Sequence, residues 1–440
     1  MNTPIFDFIS EYLAHDPVRL HMPGHKGRAR FLAEDRDLTE IAGADSLYEA
    51  SGIIAESEAN ASRLFGCPTF YATEGSSQCI RAMLFLAMQH AKRAGKAPKV
   101  LASRNAHKTF LSAAALLDLP VCWLFDDAPS YLSANPSVDV IERAITAERP
   151  TALYLTSPDY LGSIMDLKPI ARVCHENGVL QLVDNAHGAY LRFLMPSRHP
   201  IDLGADLCCD SAHKTLSALT GGAYLHVSPA FFGGESDPCH PEAKPKDLKD
   251  SSSLYAPQND RIARALATEA KDALLLFGST SPSYLILQSL DLLNPALETL
   301  PKRLADFVPR LDALKHRLAA SGWTLFGNEP LKLALIPKSF GYTGTALAAL
   351  LEAQGIFCEF ADPDFLVCMF TPENGETDLA RLERALSEVP PLPPIAEAPP
   401  KSSQPERVCS IREAMLAPRR VVPVSEARGC VLARPDVGCP

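Results

Sequence analysis

The chain has 440 residues, of which 47% are hydrophobic and 21% are charged. That length exceeds what one ordinary hydrophobic core uses, so two or three domains of a globular protein are expected. The formal net charge is −10 and the isoelectric point is near 5.7. An acidic surface of this kind argues against nucleic acid as the main partner.

The sequence has no run of 18 apolar residues, so no membrane span is predicted. Its N-terminus lacks the charged start and apolar core of a signal peptide. The twelve cysteines include the adjacent Cys208 and Cys209 and are otherwise scattered, without the paired spacing of a zinc site. We therefore expect a cytoplasmic protein with reduced thiols and no metal.

From about residue 98 the sequence alternates between short apolar runs and amphipathic segments. Strands are predicted at VLAS, VCWLF, TALYLTS, VLQLVD, ADLCCDS and GAYLHV, and helices at AHKTFLSAAALLD, VDVIERAITAE and LKPIARVCHENG. The strands are apolar throughout, which is typical of a mostly parallel sheet covered by helices on both faces. The sequence thus predicts a large α/β domain with ligands at the carboxyl ends of its strands.

After about residue 295 the pattern changes to that of a small α+β domain. ALETLPKRLADFVPRLDALKHRLAASG predicts one long helix, and strands follow at KLALIP, IFCEFA and FLVCMF, with helices at GTALAALLEAQG and TDLARLERALSEV. The predicted division is an N-terminal arm and large domain over 1–295, the small domain over 296–389, a linker over 390–405 and an appendix over 406–440. The linker is rich in proline, so it can be neither helix nor sheet interior.

Two charged residues are predicted to meet at one edge of the large sheet. Asp184 ends the run LQLVD, and Lys214 follows the run ADLCCDS thirty residues later. Carboxyl ends of neighbouring strands converge on one crevice. Such a pair can hold pyridoxal phosphate, because the lysine forms a Schiff base and the acid keeps the pyridinium nitrogen protonated. Taken alone, Asp184 is equally well explained as a helix cap, and Lys214 as a solvated strand end.

A phosphate site is predicted at the segment Gly75-Ser76-Ser77, which precedes a strong helical pattern. Backbone N–H groups and hydroxyls at a helix N-terminus bind anions. Ser76 and Ser77 are therefore candidate phosphate contacts, although a plain serine N-cap explains them as well. Ser211 supplies another hydroxyl and His213 a further contact, unless His213 is simply a hydrogen-bonded residue at a strand end.

A flat aromatic cofactor also needs contacts on its two ring faces. His107 follows the strand VLAS and opens the next helix, so it can lie over one face, and a helix-start surface position is the alternative. Ala186 is small enough to let the ring approach on the other face. The order GSS, NAHK, DNAH and SAHK along the chain carries more weight than any of these signals alone.

In this combination the sequence resembles the bacterial ornithine/lysine/arginine decarboxylases, a family of fold type I pyridoxal-phosphate enzymes. It is most similar to their short biosynthetic arginine/lysine type, which lacks the N-terminal wing domain of the long inducible forms. The resemblance covers about residues 1–295. It is carried by LHMPGHKGR (20–28), DLTEIAGADSLYEASGII (37–54), RNAHKTF (104–110), TSPDYLG (156–162), VDNAHGAY (183–190), DSAHKTLSALTGGAYLHV (210–227) and FGSTSPSYLILQSLD (277–291).

The resemblance implies a role for each candidate residue. It makes Lys214 the Schiff-base lysine, Asp184 the pyridinium partner and His107 the ring-stacking histidine. It also implies an active site at the interface of a homodimer or higher homo-oligomer. The implied phosphate-side contacts are Ser76, Ser77, Ser211, His213 and, reaching the other subunit, Thr280 between Ser279 and Ser281.

The implied reaction is loss of the α-carboxylate from arginine, lysine or ornithine, with the Cα proton delivered by His213 or Lys214. Two alternatives stay open. One is a fold type I enzyme of another class, such as an aminotransferase or a lyase, and the other is a catalytically impaired protein that binds pyridoxal phosphate. An aminotransferase would need an arginine clamp for a second carboxylate, and the predicted small domain offers no motif-anchored candidate.

Several features depart from the family pattern. Asp159 in TSPDYLG either recognises the substrate cation or forms a turn, for which aspartate is well suited. Glu74 beside the phosphate loop should weaken phosphate binding unless it points away. HMPGHK, by contrast, matches a family signature, and its residues predict no role for it beyond a tight turn at Pro23-Gly24. VSEARGCVLARPDVGCP resembles the start of a family segment that normally continues, so the appendix is expected to be truncated.

Overall fold

A computed structural model describes residues 1–23, 25–28, 32–125, 130, 132–232, 257–399 and 407–430. A helix long and apolar enough to cross a membrane is not found in this described part of the chain. The predicted turn near residue 23 is present, because the N–H of Lys26 donates to the carbonyl oxygen of Pro23 at 3.2 Å. Gly24 itself lies outside the described residues.

The larger of two sheets has seven strands in the order β1-β7-β6-β5-β4-β2-β3. The strands from β6 to β3 run parallel, whereas β7 is antiparallel to both β6 and β1. All seven strands are short and mostly buried, as expected for a sheet with helices on both faces. Their bounds are β1 Thr69–Ala72, β2 Val100–Ser103, β3 Val121–Leu124, β4 Ala152–Thr156, β5 Leu180–Asp184, β6 Leu207–Asp210 and β7 Ala223–Val227.

Alternate residues along the strands bury two separate layers. On one face, Leu153 and Val183 join a cluster that includes Ile145 and Ile170 from the helices. On the other face, Tyr154 and its neighbours belong to the main core. The helices around this sheet are α1 Pro4–Ala14, α2 Ile53–Phe65, α3 Ser76–Arg93, α4 Lys108–Leu117, α5 Val138–Glu148, α6 Leu167–Glu176, α7 Ala212–Thr215, α8 Pro257–Phe277 and α9 Tyr284–Leu297.

The smaller sheet has four antiparallel strands in the order β10-β11-β9-β8. The last helix, α13, lies against α4, where the Arg412 side chain donates to the carbonyl oxygen of Ala115 at 2.9 Å. The remaining bounds are α10 Leu300–Ala320, β8 Leu325–Phe326, β9 Lys332–Leu335, α11 Gly344–Glu352, β10 Phe360–Ala361, β11 Leu366–Met369, α12 Glu376–Ser387 and α13 Ile411–Leu416.

The predicted fold class, a mostly parallel α/β sheet with a small α+β part, is confirmed, with differences in detail. Strands β1 and β8 were not predicted, and IFCEFA forms a strand only at Phe360–Ala361. The predicted single helix from residue 296 is two helices, because α9 ends at Leu297 and α10 begins at Leu300 with a proline in its first turn. Proline starts a helix well and continues one badly, since it has no N–H to donate. Residues 390–399 contain neither helix nor strand.

Candidate active site

Lys214 lies in a single helical turn immediately after β6. Its backbone N–H donates to the carbonyl oxygen of Ser211 at 3.1 Å, which closes the turn. The side chain is half-buried, and its Nζ lies 3.2 Å from Nε2 of His187. The lysine is therefore neither fully solvated nor sealed in the core, as an amine that reacts with a small molecule requires.

Asp184 is the last residue of β5, and 2% of its surface is exposed. The hydroxyl of Tyr154 donates to Oδ2 at 3.0 Å, and the N–H of Ala186 donates to Oδ1 at 3.1 Å. Donors of this kind stabilise a carboxylate that would otherwise be costly to bury. The residue caps no α-helix, so the alternative explanation from the sequence does not hold.

The predicted phosphate site is built from three separate elements. Gly75 adopts φ of +71° and precedes α3 without giving it a side-chain cap, so the first N–H groups of this 18-residue helix are left for another acceptor. The hydroxyl of Ser211 donates to Oγ of Ser76 at 2.8 Å, and the hydroxyls of Ser77 and Thr109 lie 3.0 Å apart. Hydroxyls and a helix N-terminus thus meet in an arrangement that suits an anion.

His213 lies beside this loop. Its Nδ1 is 3.0 Å from the carbonyl oxygen of Gly222, and a carbonyl can only accept, so Nδ1 carries a proton. A Cβ placed on Gly75 would lie 3.9 Å from Cε1 of the His213 ring. The histidine is therefore close enough to the phosphate loop for the contact predicted from the sequence.

His107 is the N-cap of α4, because its Nδ1 accepts from the N–H of Thr109 at 3.1 Å. The helix-start alternative is correct as a local description, but the side chain is half-buried rather than on the surface. Burial lowers the pKa of His107. The charge of Asp184 opposes this shift, and the charge of Lys214 reinforces it. Nδ1 of His107 also lies 2.9 Å from the hydroxyl of Thr109, which contacts the hydroxyl of Ser77, so the histidine adjoins the predicted phosphate site.

Three further residues named from the sequence differ in how exposed they are. Ala186 is buried next to Asp184. Thr280 is exposed on this chain, so it is available to a partner subunit rather than held in the cluster. Glu74 is also exposed, and its Oε1 accepts from the N–H of Ser279 at 2.5 Å. The acid is thus engaged by the segment around Thr280.

Asp159 is turned into its own loop. Only 1% of its surface is exposed. Its Oδ1 accepts from the N–H of Ser163 at 2.8 Å, and the hydroxyl of Ser133 donates to Oδ2. Burial raises the pKa of Asp159, against these hydrogen bonds. Of the two explanations left open by the sequence, the geometry favours the turn over recognition of a substrate cation.

The sequence reasoning missed several residues of the cluster. His187 lies within the motif VDNAHGAY but was given no role, and Tyr154 lies inside a strand that was treated as core. Lys332 opens the strand KLALIP, and a lysine at the start of an apolar strand is a signal that was available. Its Nζ lies 3.4 Å from Nδ1 of His187 and 2.9 Å from Oε2 of Glu329. The contact between Lys332 and His187 connects the small sheet, whose strand β9 begins at Lys332, with the segment that follows β5 of the large sheet.

The chemistry of these groups fits pyridoxal phosphate. An uncapped helix N-terminus with Ser76 suits the phosphate, the carboxylate of Asp184 suits a ring nitrogen, and Lys214 is a half-buried amine on the turn after the neighbouring strand. Asp184 ends β5 and Lys214 lies on the turn after β6, at the edge of the sheet where open α/β sheets bind their ligands.

The fold and this cluster define a fold type I pyridoxal-phosphate enzyme architecture. A family model described as Orn/Lys/Arg decarboxylase, major domain, matches residues 3–326. The chain therefore belongs to the Orn/Lys/Arg decarboxylase family. The predicted family is confirmed, and so is the prediction that the protein is a decarboxylase.

Individual relatives agree with this assignment. The chain is 27% identical over 480 residues to the arginine decarboxylase of Bacillus subtilis (strain 168), covering 98% of this chain and 87% of that protein. It is 28% identical over 468 residues to the arginine decarboxylase of Halalkalibacterium halodurans, with 98% and 87% covered. The E. coli constitutive lysine decarboxylase superposes with a TM-score of 0.64 at 20% identity, covering 88% of this chain and 60% of that one. This last likeness shows the fold, and the chain spans about three-fifths of that enzyme.

Proposed function

We propose that this protein removes the α-carboxylate of arginine, lysine or ornithine with the help of pyridoxal phosphate. The observation that carries the proposal is the convergence of Asp184 and Lys214, from the ends of two neighbouring parallel strands, beside the N-terminus of α3. Two relatives that match 98% of this chain are named arginine decarboxylases, which supports a basic amino acid as the substrate here.

Each part of the cluster would hold one part of the cofactor. The first turn of α3, with Ser76, Ser77, Ser211 and His213, would bind the phosphate, and Asp184 would pair with the ring nitrogen. His107 and Ala186 would lie over the two ring faces. When bound, the cofactor supplies an electron sink for the electron pair of the bond that breaks.

The remaining steps belong to side chains of the protein. Lys214 would bind the cofactor covalently through Nζ and would yield that place to the amino group of the substrate. His213 or Lys214 would then return a proton to the substrate Cα, because both lie on the same turn after β6. In this proposal Thr280, exposed on one subunit, reaches the phosphate site of its partner in a homodimer.

The decisive experiment combines a substrate panel with a variant. The purified protein is incubated with arginine, lysine and ornithine, and the amine product is identified by mass spectrometry. We expect one of the three to be turned over, and Lys214→Ala to reduce kcat at least about 1,000-fold, because no other amine can take its covalent role. Borohydride reduction of the wild type should add the mass of the cofactor to the peptide that contains Lys214.

Lys108→Ala is the matched control. Lys108 is an exposed lysine at the start of α4, close to the cluster but outside it, so this variant should keep wild-type kcat. Release of a keto acid in place of an amine would contradict the proposal, as would the absence of turnover with all three amino acids.

A further inference from the structure

A buried row of charged and polar groups leads away from Lys214 into the small sheet. His187, 5% exposed, stands between two lysines, with Nε2 at 3.2 Å from Nζ of Lys214 and Nδ1 at 3.4 Å from Nζ of Lys332. Lys332 forms an ion pair with Glu329 at 2.9 Å, in which both side chains are 1% exposed. The hydroxyl of Tyr190 donates to the other oxygen of Glu329 at 3.4 Å.

The donor and acceptor capacities of these groups allow one arrangement. Lys332 is paired with Glu329, and this pairing opposes the burial that raises the pKa of Glu329. As the cation of that pair, Lys332 has three donors and no acceptor. It also donates to the carbonyl oxygen of Asp159 at 3.1 Å. Nδ1 of His187 can therefore only accept from Lys332.

The second nitrogen of His187 is then fixed as well. Burial lowers the pKa of His187 well below its ordinary value, and the charges of Lys332 and Lys214 act in the same direction, so the ring is neutral. A neutral imidazole whose Nδ1 accepts carries its proton on Nε2. That proton points at Nζ of Lys214, which can accept it only through the lone pair of a neutral amine.

We propose that Lys332 and Glu329 are positioning residues that fix the tautomer of His187, so that His187 donates to Lys214 and holds it as a neutral, nucleophilic amine. The proposal rests on the proposed role of Lys214 as the residue that carries the cofactor. It gives the small sheet a function in the chemistry, because β9 begins at Lys332.

Other charged groups face the same row and belong to the proposal. His107 and His213 both influence His187 electrostatically, and the ring of Tyr160 meets the His187 ring edge-on with 5.3 Å between centroids. Nε2 of His187 lies 3.2 Å from Nζ of Lys214. Lys214 is the partner that the geometry gives to the Nε2 proton.

The tautomer can be observed directly in the cofactor-free full-length protein. Ring ¹⁵N chemical shifts of ¹⁵N-histidine-labelled protein distinguish a protonated from an unprotonated nitrogen, and comparison with His187→Phe assigns the signals. We expect Nε2–H and an unprotonated Nδ1 in the wild type. An imidazolium, or a proton on Nδ1, would overturn the proposal.

The consequence for Lys214 is measured by chemical labelling. The protein is acetylated with a trace of acetic anhydride across a pH series, and mass spectrometry follows the peptide that contains Lys214. In Lys332→Met the tautomer is no longer fixed, so labelling at neutral pH should fall about tenfold and its pH profile should move up by about one unit. Glu329→Gln keeps the shape of the side chain but removes its negative charge. If Glu329 acted on Lys214 only through its electric field, this change would increase labelling. We expect no increase.

Two controls distinguish the proposed action of Lys332 through His187 from a direct effect of its charge or a general effect of removing a lysine. Lys315→Met removes a half-buried lysine that contacts the backbone oxygens of Glu329 and Pro330 at 3.0 and 2.8 Å, so it should leave labelling unchanged. In a His187→Phe background, Lys332→Met should have no further effect, because the imidazole through which it acts is absent. A full effect in that background would show that the charge of Lys332 acts directly and would overturn the proposal.

Failure of this proposal and failure of the proposed function give different results. The tautomer and labelling experiments use protein without cofactor. Absence of cofactor on Lys214 after borohydride reduction of the wild type would instead refute the decarboxylase mechanism and leave the His187 measurements interpretable.

Discussion

Two aspartates end neighbouring strands of the large sheet, and the structure uses them differently. Asp184 ends β5 and Asp210 ends β6. Asp184 accepts from the hydroxyl of Tyr154 and from the N–H of Ala186. Asp210 accepts at Oδ2 from Nε2 of His199 at 3.1 Å and of His226 at 3.0 Å.

The cluster around Asp210 is sealed. Asp210, His199 and His226 are all 0% exposed, and Nδ2 of Asn185 donates to the other oxygen at 2.6 Å. Burial opposes ionisation of Asp210, but the two histidines hold its pKa below the usual range. Its partners all come from within the chain, so this aspartate serves the stability of the fold.

Cys208 lies beside the sealed cluster. The potential metal-ligand atoms of Cys208, His199 and Asp210 all lie within 4.8 Å of one another. Burial raises the pKa of the Cys208 thiol well above its ordinary value, and the Asp210 oxygens already accept from nitrogen donors. Donors from His199, His226 and Asn185 therefore occupy both oxygens of Asp210. Asp184 is itself only 2% exposed, so the two aspartates differ in their partners rather than in burial. Both oxygens of Asp210 accept from histidine or amide side chains, whereas Asp184 accepts from one tyrosine, one backbone N–H and the Cys209 thiol.

Replacement of the sealed aspartate should have the largest effect. Asp210→Asn keeps the volume but removes the charge shared by His199 and His226, so we expect a loss of about 3 kcal/mol in the free energy of unfolding. Chemical denaturation monitored by circular dichroism measures this. Asp202→Asn, which removes a partly exposed partner of Arg192, should cost less than about 1 kcal/mol. Equal losses in the two variants would contradict the distinction between the clusters.

Replacement of Asp184 should affect catalysis more than stability. Asp184→Asn still accepts from Tyr154 but cannot keep a cofactor nitrogen protonated, so we expect kcat to fall about 100-fold or more, equivalent to about 2.7 kcal/mol in the barrier. Steady-state kinetics and denaturation of the same preparation test both halves. A variant with wild-type kcat would remove Asp184 from the proposed site.

The two aspartates also show what the sequence could reveal. Asp184 and Lys214 were identified because each follows an apolar strand and their order matches a cofactor site. His187 and Lys332 were missed because their importance depends on a contact between two sheets, 145 residues apart in the sequence. Spacing along one strand carries no information about such a contact. Asp159 illustrates the opposite case, since only its hydrogen bonds to Ser133 and Ser163 distinguish a turn former from a substrate-binding acid.

The smallest expected effect is a pH dependence of stability that arises in the sealed cluster. Burial lowers the pKa of His226, although Asp210 opposes this shift, so the folded protein keeps the ring neutral where the unfolded chain, with a histidine pKa near 6.5, binds a proton. The unfolded state then binds more protons, and stability falls as the pH decreases from about 6.5. Asp210 acts in a separate window, because its depressed pKa stabilises the fold above about pH 4 and that contribution is lost only below it.

His226→Asn should therefore flatten the pH dependence rather than abolish it, because burial also lowers the pKa of His187. Between pH 7 and pH 5 we expect the variant to lose about 1 kcal/mol less than the wild type, although it is less stable at both values. Denaturation curves at each pH give the difference. His15→Asn, at an exposed position, serves as the control and should run parallel to the wild type. If the curve for His226→Asn also runs parallel to that of the wild type, His226 is protonated to the same extent in the folded and unfolded states. The contrast between the two clusters would then rest on Asp210 alone.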